Sequence, residues 1–186
     1  VLKKAIKLNQ KGKIFPVYAS CHGIQSIIKT TEKHIDKIGG LFQRLDAVNY
    51  QSKIEFINNS SNNINKYAKY NNKLVIHNCT FGITVKKFYK TEYLQNEYNI
   101  IAVAKDRRNK KFVDFIKHKT FPIYAFQCHP EKSLVGLLDE FIESVYKSYI
   151  LRANLNKTFK LKQIKFVPKK LSFKTKLCKH LKPKVV

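Results

Sequence analysis

Two short stretches constrain the fold of this chain more than any other feature. IFPVYAS (14–20) and FPIYAFQ (121–127) are brief apolar runs that each contain a Phe-Pro step near the start. A short continuous apolar run bounded by breakers is the pattern of a strand buried on both faces, and Pro is tolerated where such a strand begins. Each run ends on residues with chemistry of their own. The first leads into Cys21, His22 and Gly23, the second into Cys128, His129, Pro130 and Glu131. If the two strands are neighbours in one sheet, Cys21 and His129 emerge at the same edge, where ligands of open α/β sheets gather. Taken singly, each has a plain explanation: a cysteine after a strand is commonly a small core residue, and His-Pro-Glu is commonly a turn. Taken together they supply a thiol nucleophile, an imidazole to take its proton and a carboxylate to orient the imidazole.

The remaining pattern mixes helices and strands. Apolar Val1, Leu2, Ala5, Ile6 and Leu8 among lysines predict an amphipathic helix over 1–10. IQSIIKTTEKHI after Gly23 predicts a second, broken at Gly39-Gly40. LFQRLDAV, KIEFI, KLVIHN (73–78), NIIAVAKD (99–106) and KFVDFIKH (111–118) read as strands, and the Asn/Ser-rich 58–67 as a loop. FGITVKKFYKTEYLQ (81–95) is compatible with a helix. Leu134, Leu137, Leu138, Phe141, Ile142 and Val145 recur at helical spacing and predict a helix over about 133–151. Such alternation implies an α/β or α+β sheet covered by helices, and 186 residues suffice for one domain with a real core.

The net charge of +25 raises the question of nucleic acid. Of the 37 basic residues 33 are Lys, whereas base and phosphate recognition favours Arg, and the basic residues are spread along the chain, so no nucleic-acid partner is expected. Nothing acidic follows Glu143, which makes the C-terminal part a solvated basic segment. Four cysteines without a CxxC pair argue against zinc, and no metal or cofactor is implied. No apolar run is long enough for a membrane span. Sequons at Asn58, Asn59, Asn78 and Asn156 are compatible with secretion. The chain begins at Val1 with no signal peptide, the expected look of a processed product or of a piece of a longer protein.

FPVYASCHGIQ (15–25) resembles the nucleophile elbow of the class I glutamine amidotransferase-like fold, Gly-x-Cys-x-Gly followed by apolar residues. FPIYAFQCHPEK (121–132) resembles the His-x-Glu segment of that fold. The Phe-Pro-aliphatic-Tyr opening of both, with HPEK closing the second, is most similar to gamma-glutamyl hydrolase (folate gamma-glutamyl hydrolase, peptidase family C26). VIHNCTFGITVKKF (75–88) is similar to a further family stretch, and QIKFVPKKLSF (163–173) faintly resembles its C-terminal extended segment. The resemblance is good over 12–30, 73–88 and 120–150.

It implies a three-layer, mostly parallel sheet with flanking helices, truncated on its N-terminal side, over 1–150, followed by a Lys-rich segment 151–186 that is partly extended or disordered. It also implies a cysteine hydrolase of gamma-glutamyl bonds, with a folate poly-gamma-glutamate as small-molecule substrate. Cys21 would be the nucleophile, His129 the general base and acid, Glu131 its orienting carboxylate and the His22 backbone N–H an oxyanion donor. His77 would be either a substrate contact or simply a strand-end histidine. A lysosomal, vacuolar or extracellular location would follow, with a homodimer left open.

Three residues depart from the pattern: Ala19 stands for the first Gly, His22 for the usual Leu, and Cys128 for an aromatic. Only 20 residues precede Cys21, where the fold places further strands and a Gly-rich loop carrying a second oxyanion donor. The chain is therefore expected to be a fragment, in preference to an inactive relative acting as a basic binding domain. The glutaminase subunit of an amidotransferase is the enzymatic alternative.

Overall fold

In a computed structural model that describes residues 1–31, 40–57 and 67–155, the chain runs through α1 (Leu2–Gln10), β1 (Val17–Ser20), α2 (His22–Thr31), β2 (Gln43–Lys53) and β3 (Glu55–Phe56). It continues through β4 (Leu74–Gly82), α3 (Val85–Tyr89), α4 (Glu92–Glu97), β5 (Tyr98–Lys105) and β6 (Lys111–His118). Then come β7 (Ile123–Phe126), α5 (Pro130–Ser133), one 3-10 turn over Val135–Leu138 and α6 (Asp139–Leu155). Residues 1–155 form one compact unit. The loop expected over 58–67 lies, except for Tyr67, outside the described residues. So does the basic segment beyond Leu155, and α6 itself runs past the boundary expected at 150.

Five strands make one sheet in the order β1-β7-β6-β5-β3, and β2 and β4 pair separately. β1 and β7 are parallel neighbours, Val17 opposite Ile123 and Ser20 opposite Phe126. The other three pairings are antiparallel, which corrects the expectation of a mostly parallel sheet. The reason is the link between β5 and β6. Asp106–Lys110 is too short for a crossover, so the two runs must fold back on each other. They look like parallel strands in sequence because both of their faces are covered.

That covering makes three layers. On one face Ile123, Ala125, Val113, Ile116, Ile100 and Val103 pack against Leu2 of α1 and Ile24, Ile27 and Ile28 of α2, together with Phe88 and Leu94 of α3 and α4. On the other, Tyr124, Phe126, Phe115, Ile101 and Ala102 meet Leu137, Leu138 and Phe141. The helix expected over 81–95 is two short helices instead. Phe81 and Gly82 finish β4, and the Thr84 hydroxyl caps α3 by accepting the Lys87 N–H at 3.3 Å.

Candidate active site

The register of β1 on β7 decides where the reactive residues lie. Because Ser20 stands opposite Phe126 in a parallel pair, Cys21 and the segment Gln127-Cys128-His129 leave the sheet at the same edge. β6 is antiparallel to β7, with Lys117 opposite Tyr124 and Phe115 opposite Phe126, so the β5–β6 turn projects beyond that edge as well.

Cys21 takes φ +53°, the left-handed region that non-glycine residues seldom adopt. Such a conformation costs about 1–3 kcal/mol and persists where its surroundings enforce it. Here β1 is fixed on one side by its pairing with β7, and α2 on the other by three buried isoleucines and by Gln25, whose Nε2 donates to the Phe81 carbonyl at 2.8 Å. The two are joined with no residue between them but Cys21, which must make the turn. Gly23 completes it: a methyl group there would stand 2.8 Å from the Ala19 Cβ. Having no side chain, Gly23 leaves room for the Ala19 methyl. His22, exposed, is the first residue of α2, so its N–H is among those a helix leaves without an intrahelical acceptor. The Cys21 thiol donates to the Asn78 carbonyl at 3.6 Å.

After β7, the His129 N–H donates to the Ile76 carbonyl at 2.9 Å, and Pro130 opens α5 with its ring at the first helical position. One turn of α5 brings Glu131 back on His129, whose Nδ1 lies 2.7 Å from Oε1. The other carboxylate oxygen, Oε2, accepts the Tyr18 hydroxyl at 2.9 Å. Burial alone would raise the Glu131 pKa. The hydrogen bonds from His129, the backbone and Tyr18 outweigh it and hold the carboxyl below its ordinary value. An ionised Glu131 accepts Nδ1–H, which leaves Nε2 as the nitrogen able to take a proton from a thiol. In the sequence Tyr18 belongs to the Phe-Pro-aliphatic-Tyr opening of β1 and carries no role of its own; its hydrogen bond to Glu131 arises from the β1–β7 pairing.

The cysteines separate by environment. Cys79 and Cys128 are buried, and burial pushes the Cys79 thiol up to about 12 and the Cys128 thiol well above its ordinary value. Among the described residues only Cys21 is partly exposed. His77, on the sequence either a substrate contact or a strand-end histidine, is not on this surface. It is fully buried, its Nε2 2.9 Å from Asp114 Oδ1, its Nδ1 3.4 Å from the Ser52 hydroxyl, its ring edge-on to Phe112. It ties β2, β4 and β6 together. No group of metal-ligating side chains occurs among the described residues.

No family model matches the chain. Its sequence is 30% identical over 142 residues to probable gamma-glutamyl hydrolase 3 of Arabidopsis thaliana, covering 72% of this chain and 39% of that protein. It is 28% identical over 138 residues to gamma-glutamyl hydrolase B of Dictyostelium discoideum, covering 69% and 38%. This chain is a relative of the gamma-glutamyl hydrolases. It spans about two fifths of the length of these relatives. In structure it is similar to the glutaminase domain of Trypanosoma brucei CTPS, with TM-score 0.50 and 14% identity over 72% of this chain and 60% of that one. The mixed sheet with flanking helices is thus a glutamine amidotransferase-like fold.

Proposed function

We propose that the site at the β1–β7 edge hydrolyses gamma-glutamyl amide bonds, with folate poly-gamma-glutamates as substrate. The observation that carries this is the parallel pairing that brings a cysteine held at φ +53° and a hydrogen-bonded Tyr18–Glu131–His129 chain to one sheet edge. In the reaction, His129 Nε2 takes the Cys21 proton and the thiolate sulfur attacks the gamma-carbonyl carbon. The oxyanion so formed accepts the His22 N–H, a type of donor worth about 3 kcal/mol in the transition state. The tetrahedral adduct collapses to a thioester as the C–N bond breaks and His129 delivers its proton to the leaving amine. Water then attacks the thioester, again giving a proton to His129, and the gamma-carboxylate leaves as the Cys21 thiol is restored. Glu131 stabilises the imidazolium in both halves.

The sequons also suit a lysosomal, vacuolar or extracellular setting, and the proposal leaves a homodimer open. The test is glutamate release from folyl-tri-gamma-glutamate by the chain and by Cys21→Ala. Release that falls by roughly 10⁴-fold or more in the variant supports the proposal, because nothing else in the site replaces the nucleophile. Equal release from both would overturn it.

A further inference from the structure

Only four of the 37 basic residues are arginines, and three of them, Arg44, Arg107 and Arg108, converge on one place. Arg44 and Arg108 line a crevice of ≈ 290 Å³ with Lys110, Asp46, Asp106 and Thr80. Arg107, which follows Asp106, braces its rim. Its guanidinium donates to Asp46 Oδ1 at 3.1 Å and to the Val48 and Asn49 carbonyls at 2.9 and 3.1 Å, and lies 4.7 Å over the Tyr50 ring. The place adjoins the thiol. Tyr50 and Cys21 pack on the same apolar cluster, and the Asn49 N–H donates to the side chain of Asn78, whose carbonyl receives the Cys21 thiol.

Both carboxylates in the crevice are already engaged. Asp106, 2% exposed, accepts the N–H groups of Asp46, Arg108 and Lys110 at 3.0, 2.9 and 2.9 Å. Its carboxylate therefore shapes the turn. Asp46 is held by Arg107 and, at 3.5 Å, by Arg108. Four cations against two carboxylates leave a positive crevice, and neither Arg44 nor Lys110 has an ion-pair partner among the described residues. Among the described residues the Lys110 ammonium donates to the Arg44 carbonyl, at 2.8 Å, and is attracted by Asp106 without a close ion pair, which leaves the crevice net positive.

We propose that this crevice is a carboxylate-binding subsite for the poly-gamma-glutamate chain, and that Arg44 and Lys110 take an α-carboxylate two gamma-glutamyl units from the scissile bond. It rests on the gamma-glutamyl reading above. The spacing follows from the sheet. The turn between β5 and β6 stands two to three strands from β1, roughly 10–14 Å at the usual separation. A gamma-linked glutamate repeats after five chain bonds, roughly 6 Å. The first α-carboxylate past the scissile bond is then too close to the sulfur to reach the crevice, and the second is in range. Arg and Lys suit the ligand: one offers a planar fork to a carboxylate, the other a point charge.

The test is equilibrium binding of a tri-gamma-glutamate peptide to the Cys21→Ala chain, which cannot turn it over, at physiological salt. In the Arg44→Gln/Lys110→Gln background the affinity should fall about tenfold or more, as expected for losing charge-assisted contacts. A charge-matched control, Lys3→Gln/Lys4→Gln on the exposed face of α1, should bind like the parent. The peptide with its α-carboxylates converted to amides should no longer distinguish the two. Equal loss in both double variants would reduce the effect to the general positive charge of the chain and overturn the subsite. Unchanged binding by Arg44→Gln/Lys110→Gln would overturn it too. Circular dichroism of each variant separates either result from misfolding. Cleavage by the unmodified chain is measured separately, so peptide binding without cleavage would count against the hydrolase and leave the subsite standing.

Discussion

Replacing Gly23 with Ala tests the elbow at its tightest point. The new methyl would lie 2.8 Å from the Ala19 Cβ, while carbon atoms in good contact sit no nearer than about 3.5 Å, so the two segments must separate by about 0.7 Å. Ala19 cannot yield easily, because its strand is paired in register with β7, Ala19 opposite Ala125. The displacement therefore falls on the start of α2 and on Cys21. Overpacking of this size costs about 1–3 kcal/mol, and a shift approaching 1 Å at a reacting atom costs about 10²-fold in rate. Among the described residues, and apart from its chain neighbours and its own helix backbone, no other atom lies within 4 Å of the added methyl. Removing the obstacle with Ala19→Gly should thus relieve the strain, and the Ala19→Gly/Gly23→Ala chain should regain most of the stability and turnover that Gly23→Ala loses. Urea unfolding and glutamate release are measured on the parent, both single variants and the double variant. A Gly23→Ala chain with parental stability and turnover, or a double variant no better than Gly23→Ala, would refute the reasoning.

Tyr18→Phe removes one hydrogen bond that lowers the Glu131 pKa, so the acid limb of the pH–rate profile should move to higher pH and kcat should fall several-fold, read from a pH series. Because Glu131 is held below its value in the unfolded chain, its contribution to stability is present above the unfolded glutamate range and is lost as pH falls through the lower folded value. Glu131→Gln should flatten that part of the stability–pH curve in acid denaturation. His77→Ala leaves Asp114 buried without its partner and should lower unfolding stability by about 3–5 kcal/mol, measured by urea titration. In the native chain iodoacetamide should label Cys21 well before Cys79 and Cys128, whose thiols are buried and held protonated, with mass spectrometry of tryptic peptides as the readout.

The sequence by itself determined much of this protein, because its signals are local. Two apolar runs opening on Phe-Pro mark β1 and β7, a glycine two residues after Cys21 marks the elbow, and a proline after His129 starts the turn that returns Glu131 to the imidazole. Cys21, His129 and Glu131 stand out in these patterns as the candidates, and the family is legible with them. What the local pattern could not carry is pairing. The β5 and β6 runs are apolar on both faces whether their neighbours are parallel or antiparallel; the short 106–110 link, legible in the sequence, makes those two antiparallel, but that β7 lies between β6 and β1 is decided only by the sheet. His77 sits in a strand at the right distance from a recognisable stretch, yet side chains alternate across a strand, and its register on β2 turns the ring inward to Ser52 and Asp114. Tyr18 beneath Glu131, and Arg44 from β2 beside Lys110 from the β5–β6 turn, are pairs far apart in sequence. Their chemistry exists only after the strands have chosen their partners, which is a property of the sheet and not of any segment within it.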